Sequence, residues 1–441
     1  MSDIRLEANW LFCGEHDPLL RETGAQFEFH IDDICLTRNE DIWSRTIRDS
    51  VLVSAYPLAQ WFASSWWRLC WEPMPSFNPS TDWKMAHELG AANHGYVWPR
   101  VLFASDGEAI TIWSEQSRTK DQSVTYIGGL EGPKSVSIEK FQRAVDHFIR
   151  AVLNRLEAVG HSDSDLAQLW ELVLEDRANQ GIDTVRRLEA RLGFDPETCP
   201  EETLRRALAL QGVTGDAAMS ELAPVFGKQD RNECLGDIER LCRATGMTGR
   251  FQVEHTGLNT QNTGVAPWQR GVNAARGLRD HIGNISAPIA DQILWDLLGL
   301  TETQVNKYPE PVCRLAAVAR PHTDGSIDFV PRKRHPTARR FELARFLGDH
   351  LREASDSTHW LTATDLTTSR QKFQRAFAAE LLCPIDSLNS FLDNDYSESA
   401  QEDAAEYFKV SNETVASLLI NNGYISNTMH FPRVPYSLIS A

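Results

Sequence analysis

Two stretches bring histidine and carboxylate together at spacings that bear on metal-assisted chemistry. Met85-Ala-His-Glu-Leu-Gly90 opens like a zinc-hydrolase helix, with His87 as a ligand and Glu88 as a proton acceptor. Hydrolysis from one helix needs a second histidine four residues after the first, so that both imidazoles share a face and one ion. The glutamate beside the first histidine then takes a proton from the bound water. Ala91 stands at that second position, and the next histidine is His94. It lies about 10.5 Å along a helix axis from His87, too far for two short imidazoles to meet on one ion. Gly90, Asn93 and Gly95 predict that the helix ends here. His87 and Glu88 are expected in packing or surface roles, with a zinc site assembled from distant segments as the alternative. The second stretch holds His350, Glu353 and His359, with Asp349 as a further possible ligand. On a helix His350 is rotated about 100° from Asp349, so the two do not converge as i and i+4 residues do. A solvated helix end followed by a loop is the expectation.

Other chemistries find no footing. The chain has neither GxSxG nor GxxxxGK[ST] nor a strand-flanked GxGxxG. Eight cysteines, at 13, 35, 70, 199, 234, 242, 313 and 383, form no CxxC and read as reduced, mostly buried thiols. Arg332-Lys-Arg-His335 and Arg339-Arg340 make a basic cluster, the one local argument for a nucleic-acid-binding adaptor. Against it stands a formal charge of −17, and Lys409 is the only base between Asp393 and Ile425, where Val410-Ser-Asn-Glu-Thr-Val415 resembles the turn of a helix-turn-helix. Such a field opposes approach to phosphates. No stretch of about 18 apolar residues suggests a membrane span. The N-terminus has no apolar signal core, so a cytoplasmic setting is expected.

The elements that must position these groups divide the 441 residues into three expected parts. Residues 1–130 carry most of the tryptophans, with strand-like alternation at 26–31, 50–54 and 109–113 and a hairpin turn at Asp106-Gly107. They predict a Trp-rich α+β domain. Residues 131–255 read as a helical domain, opened by the stripe Ile138, Phe141, Val145, Phe148, Val152 and Leu156 after an N-cap at Ser137. Residues 256–264 form the candidate linker. Residues 266–430 predict a mainly helical domain with a small sheet: helices at 268–279, 288–298, 338–351 and 370–382, two strands joined across Asp324-Gly325, a loop at 356–368, and a helical tail. The whole is an α+β, multidomain chain.

Three segments of the last part carry a family resemblance: Arg339-Arg-Phe-Glu-Leu-Ala-Arg-Phe-Leu-Gly-Asp-His350, Ala376-Phe-Ala-Ala-Glu-Leu-Leu-Cys-Pro384 and Phe408-Lys-Val-Ser-Asn-Glu-Thr-Val-Ala-Ser-Leu-Leu419. Together with the helices of 271–300, they resemble the ImmA/IrrE family of bacterial zinc endopeptidases over residues 266–427. The resemblance implies a zincin-like fold and a metal site. It sets Arg345 at the first histidine, Phe346 at the general-base glutamate and Asp349 at the second histidine. Near the family's third ligand stands Gln371-Lys-Phe-Gln-Arg375, without a carboxylate. Arginine stays protonated and cannot serve as an ordinary zinc ligand, and phenylalanine accepts no proton. The resemblance therefore implies a shell without its ion: no catalytic residue, no cofactor, and an Arg345–Asp349 ion pair one turn apart in place of the ligands. It further implies a protein-binding regulatory or scaffold role, in phage defence, mobile-element or stress regulation. The groove expected to hold a bound segment is bordered by Val330, Arg340, Phe341, Ala376, Phe377 and Glu380. The alternative is an active zinc endopeptidase with a rearranged site built from His350, Glu353 and His359 or from His87 and Glu88.

Overall fold

The computed structural model describes residues 1–76, 78–117, 123–228, 235–253, 265–352 and 359–426. The chain is a multidomain α+β protein with two compact units, Met1–Leu204 and Arg205–Ala441. Among the described residues no helix is long and apolar enough to cross a membrane.

The first unit runs β1 (Ile4–Trp10), α1 (Pro18–Glu22), β2 (Gly24–Ile31), β3 (Ile34–Cys35), β4 (Asn39–Asp41), β5 (Ile47–Arg48) and β6 (Val51–Ser54). Three helices follow, α2 (Tyr56–Ser64), α3 (Trp66–Trp71) and α4 (Thr81–His87). Then come β7 (Arg100–Ser105), β8 (Ala109–Glu115), β9 (Val124–Tyr126), β10 (Lys134–Ser137), α5 (Ile138–Ala158), α6 (Asp165–Ala178) and α7 (Gln180–Arg191). The strands form three small sheets. In the first, β2 is flanked by β1 on one side and by β3 and β6 on the other; the others run β10-β8-β7 and β5-β4-β9.

Alternation in β2 turns Phe27, Phe29 and Ile31 wholly inward, where they meet Phe62, Phe103 and Phe148. The turn expected at Asp106-Gly107 joins β7 to β8, with the Asp106 carboxylate accepting from Glu108 N and Ala109 N at 3.1 and 2.8 Å. The predicted stripe of α5 is buried from Phe141 to Leu156 in this same core, and Ser137 caps the helix. Trp170 of α6 and Ala190 of α7 join it. The helices that begin the expected middle domain thus complete the first unit, and the boundaries expected at 130 and 255 do not coincide with the division at 204.

Helix α8 (Glu201–Thr214) spans that division. The second unit continues with α9 (Asp216–Phe226), α10 (Gly236–Arg243), β11 (Met247–Gly249), α11 (Pro267–His281), α12 (Asp291–Leu298), α13 (Glu302–Asn306), β12 (Ala316–Pro321) and β13 (Ile327–Val330). It ends with α14 (Pro336–Arg352), β14 (Leu361–Thr364), α15 (Ser369–Leu382), α16 (Ile385–Leu392), α17 (Glu398–Phe408) and α18 (Asn412–Asn421). Its antiparallel sheet has the order β11-β13-β12-β14. Through β11 the segment before residue 255 is tied to the C-terminal sheet. The candidate linker at 256–264 lies outside the described residues.

One element was expected as loop and is strand. Leu361–Thr364 pairs antiparallel with Ala316–Ala319, because all four of its residues are buried between the sheet and the helices above it. Helix α15 is gripped on two sides. A Cβ on Gly271 of α11 would stand 2.4 Å from Phe373 O, and one on Gly348 of α14 would stand 2.6 Å from the Phe377 ring. Both helices therefore approach α15 more closely than any larger residue permits.

Candidate functional site

Helix α14 turns Arg345 and Asp349, one turn apart, toward strand β14 and the first turns of α15. Asp349 is fully buried, and so is Phe346, which packs against Phe329 with ring centroids 6.0 Å apart. The expected Arg345–Asp349 ion pair is not what forms. Asp349 takes three hydrogen bonds from Arg370: Nε to Oδ1 at 2.8 Å, Nε to Oδ2 at 3.1 Å and Nη2 to Oδ2 at 2.6 Å. A fourth comes from Thr362 N at 3.3 Å. A guanidinium fork matches a carboxylate better than the side chain one turn away could, and it fills the acceptor sites of a buried charge.

Arg345 instead donates Nη2 to Thr364 O at 2.8 Å and to Gln371 Oε1. Gln371 Oε1 also accepts Thr364 N at 2.9 Å, while Gln371 Nε2 and Gln374 Nε2 both donate to Thr362 O, at 3.1 and 2.8 Å. The two glutamines pin the backbone of β14. Burial, reinforced by the positive Arg375 and Arg332, pulls the Arg345 guanidinium down to about 9. Arg332 is held by Glu342 at 2.8 Å and by Asp365 at 2.6 Å. Helix α9 closes this side. Its wholly buried Glu221 accepts Thr368 Oγ1 at 2.8 and 2.9 Å, and Ala217 O accepts Arg370 Nη1 at 2.9 Å. Four arginines (332, 345, 370, 375) and four carboxylates (Glu221, Glu342, Asp349, Asp365) thus share one formally neutral cluster, with Asp365 at its exposed edge. Asp349 is paired with Arg370, Glu342 and Asp365 are paired with Arg332, and Glu221 is held by the Thr368 hydroxyl.

Among the described residues the alternative metal ligands are not assembled. His350 lies flat on Phe251, centroids 3.9 Å apart and planes 11° apart. His359 is exposed, with its ring against the backbone of Gly215, and Glu353 lies outside the described residues. Helix α4 ends at His87, three residues before Gly90, and Glu88 is extended. His87 is buried and stacks on Trp83 at 4.0 Å. Its Nε2 lies 2.9 Å from Glu72 Oε2 and its Nδ1 3.1 Å from Phe103 O. Glu72 is bound in turn by Arg68 Nε at 2.7 Å. The Glu88 carboxyl is pushed up by burial. Among the described residues no group of three His, Cys, Asp or Glu side chains is placed to hold a metal ion.

The residues expected to border a groove are spread over several surroundings. Val330 and Phe377 are buried in the core, Ala376 faces Gly271 of α11, and Phe341 is half-buried against the core. Glu380 pairs with Arg276 at 2.7 Å. Arg340 borders a different feature, a cleft of about 890 Å³ between α12–α13, the start of α14 and α17. The basic cluster is largely spent inside the unit. Arg339 donates to Val305 O at 2.7 Å and Lys333 O at 3.2 Å. Arg340 donates to Phe408 O, Lys409 O and Ile289 O and pairs with Asp291 at 2.9 Å.

Sequence reading missed Arg370, Glu221, Glu72 and Arg68. Arg370 stands one residue before the window searched for a carboxylate, and a search there for a basic partner to Asp349 finds it. Nothing in the sequence ties Glu221 to a position about 150 residues away. No protein-family model, curated protein or solved structure matches the chain.

Proposed function

We propose that the second unit is a catalytically inactive, ImmA/IrrE-like pseudo-peptidase that works by binding another protein, as a regulatory or scaffold component. The observation that carries the reading is the commitment of Arg345 and Asp349, at the i and i+4 positions of α14, to Gln371, Arg370 and β14. The element order also supports it: hairpin, helix, antiparallel edge strand and second helix, with the polar cluster among the last three. An arrangement that keeps this order while committing the side chains at the ligand positions to other partners is suited to presenting surfaces rather than to activating water. By analogy with the resembled family, its setting is a cytoplasmic bacterial switch in phage defence, mobile-element or stress regulation.

The test uses the purified full-length chain, incubated with zinc and desalted. The expected result is substoichiometric zinc and no cleavage of unfolded protein substrates, with or without chelator. One zinc per chain, with proteolysis that chelation abolishes, would establish the rearranged-site endopeptidase instead. Binding to duplex DNA or RNA with a steep salt slope would establish the adaptor reading.

A further inference from the structure

The cleft beside Arg340 has a one-sided charge demand. Its volume falls within the roughly 300–1,000 Å³ range of ligand sites. Its cations are already answered. Lys409 Nζ pairs with Asp291 Oδ2 at 2.9 Å, Arg334 pairs with Glu310, and Arg339 and Arg340 donate to backbone carbonyls of the surrounding segments. On the α17 wall Glu402 and Glu406 are exposed and form no ion pair among the described residues. With Glu398 they recur every four residues and share one face of that helix. Between this wall and the opposite one lie Trp295, Val305 and Val410, an apolar floor.

We infer that this cleft binds a lysine- or arginine-bearing segment of a protein partner. The apolar floor suits the methylene stem of such a side chain, whose cationic head then reaches the two carboxylates. The chain as a whole carries a formal charge of −17, a field that draws a basic partner and repels an acidic one. A nucleic acid would meet Glu402 and Glu406 with its phosphates and is disfavoured by the same field. The inference rests on the protein-binding role proposed above and names the surface and the chemistry of what it takes.

The experiment measures fluorescein-labelled hexalysine binding to the full-length protein by anisotropy at physiological salt. Fully acetylated hexalysine and hexaglutamate serve as controls. The double variant E402Q/E406Q is compared with E157Q/E171Q, which removes the same charge from exposed positions of the first unit. The expected result is about tenfold weaker binding for the first double variant, less than about twofold for the second, and no binding of either control peptide. Equal weakening in both variants, or none in either, overturns the inference. Should E402Q/E406Q fail to fold, a photo-crosslinking hexalysine on the wild-type chain decides: labelled peptides from 302–310 and 402–412 support the cleft, and labelling elsewhere overturns it. A negative result here in a chain free of zinc and proteolysis leaves the pseudo-peptidase reading standing. Zinc-dependent proteolysis sinks that reading whatever hexalysine does.

Discussion

Asp349 and Arg370 meet across the packing of α14 on α15 as a buried pair joined by three hydrogen bonds, with Arg370 Nη2 2.6 Å from Asp349 Oδ2. The guanidinium answers the charge that the buried carboxylate would otherwise carry alone. The same carboxylate also takes Thr362 N, so the pair fixes the edge strand as well as the two helices.

Removing one member of such a pair strands the other in the interior. Asp349→Ala is expected to destabilise the second unit by about 3–5 kcal/mol. Replacing both members, as in D349L/R370M, is expected to cost well under half of that because no charge is left unanswered. Urea denaturation of the two variants checks this. Equal losses would show that the pair is incidental to stability.

Glu221 predicts a pH dependence of defined sign. Burial raises its carboxyl above the ordinary value of 4.5, against the opposing pull of Arg370 and Thr368. The folded state therefore holds the proton more tightly than the unfolded one. Its contribution to stability is fully present below 4.5 and falls as pH rises from there through the raised folded value. Thermal melts of wild type and Glu221→Gln across pH 4–8, a range of about four units chosen to cover an ordinary buried-carboxyl shift, should show the wild type losing ground to the variant as pH increases. A constant difference would refute the assignment.

In the first unit, Glu72 holds both Arg68 and His87, and all three are buried or nearly so. Glu72→Ala is expected to destabilise that unit by about 3 kcal/mol or more, since two buried basic side chains lose their shared acceptor. His87→Phe keeps the ring stack on Trp83 and loses only hydrogen bonds, so about 1–3 kcal/mol is expected. Neither change should alter zinc content, which distinguishes a structural histidine from a ligand.

Cys70 and Cys383 are buried, and desolvation pushes each thiol up to about 12. Both should resist iodoacetamide in the native protein at neutral pH and react once the chain is denatured. Cys13, Cys35 and Cys242 are half-buried and, among the described thiols, are expected to label before the buried ones. Mass-spectrometric mapping of the labelled sites reads this directly.

Local pattern was enough for much of the architecture. The 3.6-residue stripe of α5, the Asp106-Gly107 turn and the proline before α16 each act over a few residues, and each element formed as its sequence indicates. Pairing was not legible. Leu361–Thr364 gives no alternation, since both faces are buried, and it becomes a strand because Ala316–Ala319 offers it a ladder. Arg345 and Asp349 also show the limit. Their spacing places them on one face of a helix, as the sequence dictates. It does not say what that face meets. Arg370, Gln371 and Glu221 arrive from elements up to about 130 residues away, and desolvation makes each buried charge take the partner whose geometry fills its hydrogen-bonding sites rather than the nearest one in sequence. Side-chain type and spacing fixed which groups were available. Only the packing of α9, α14, β14 and α15 decided which of them met.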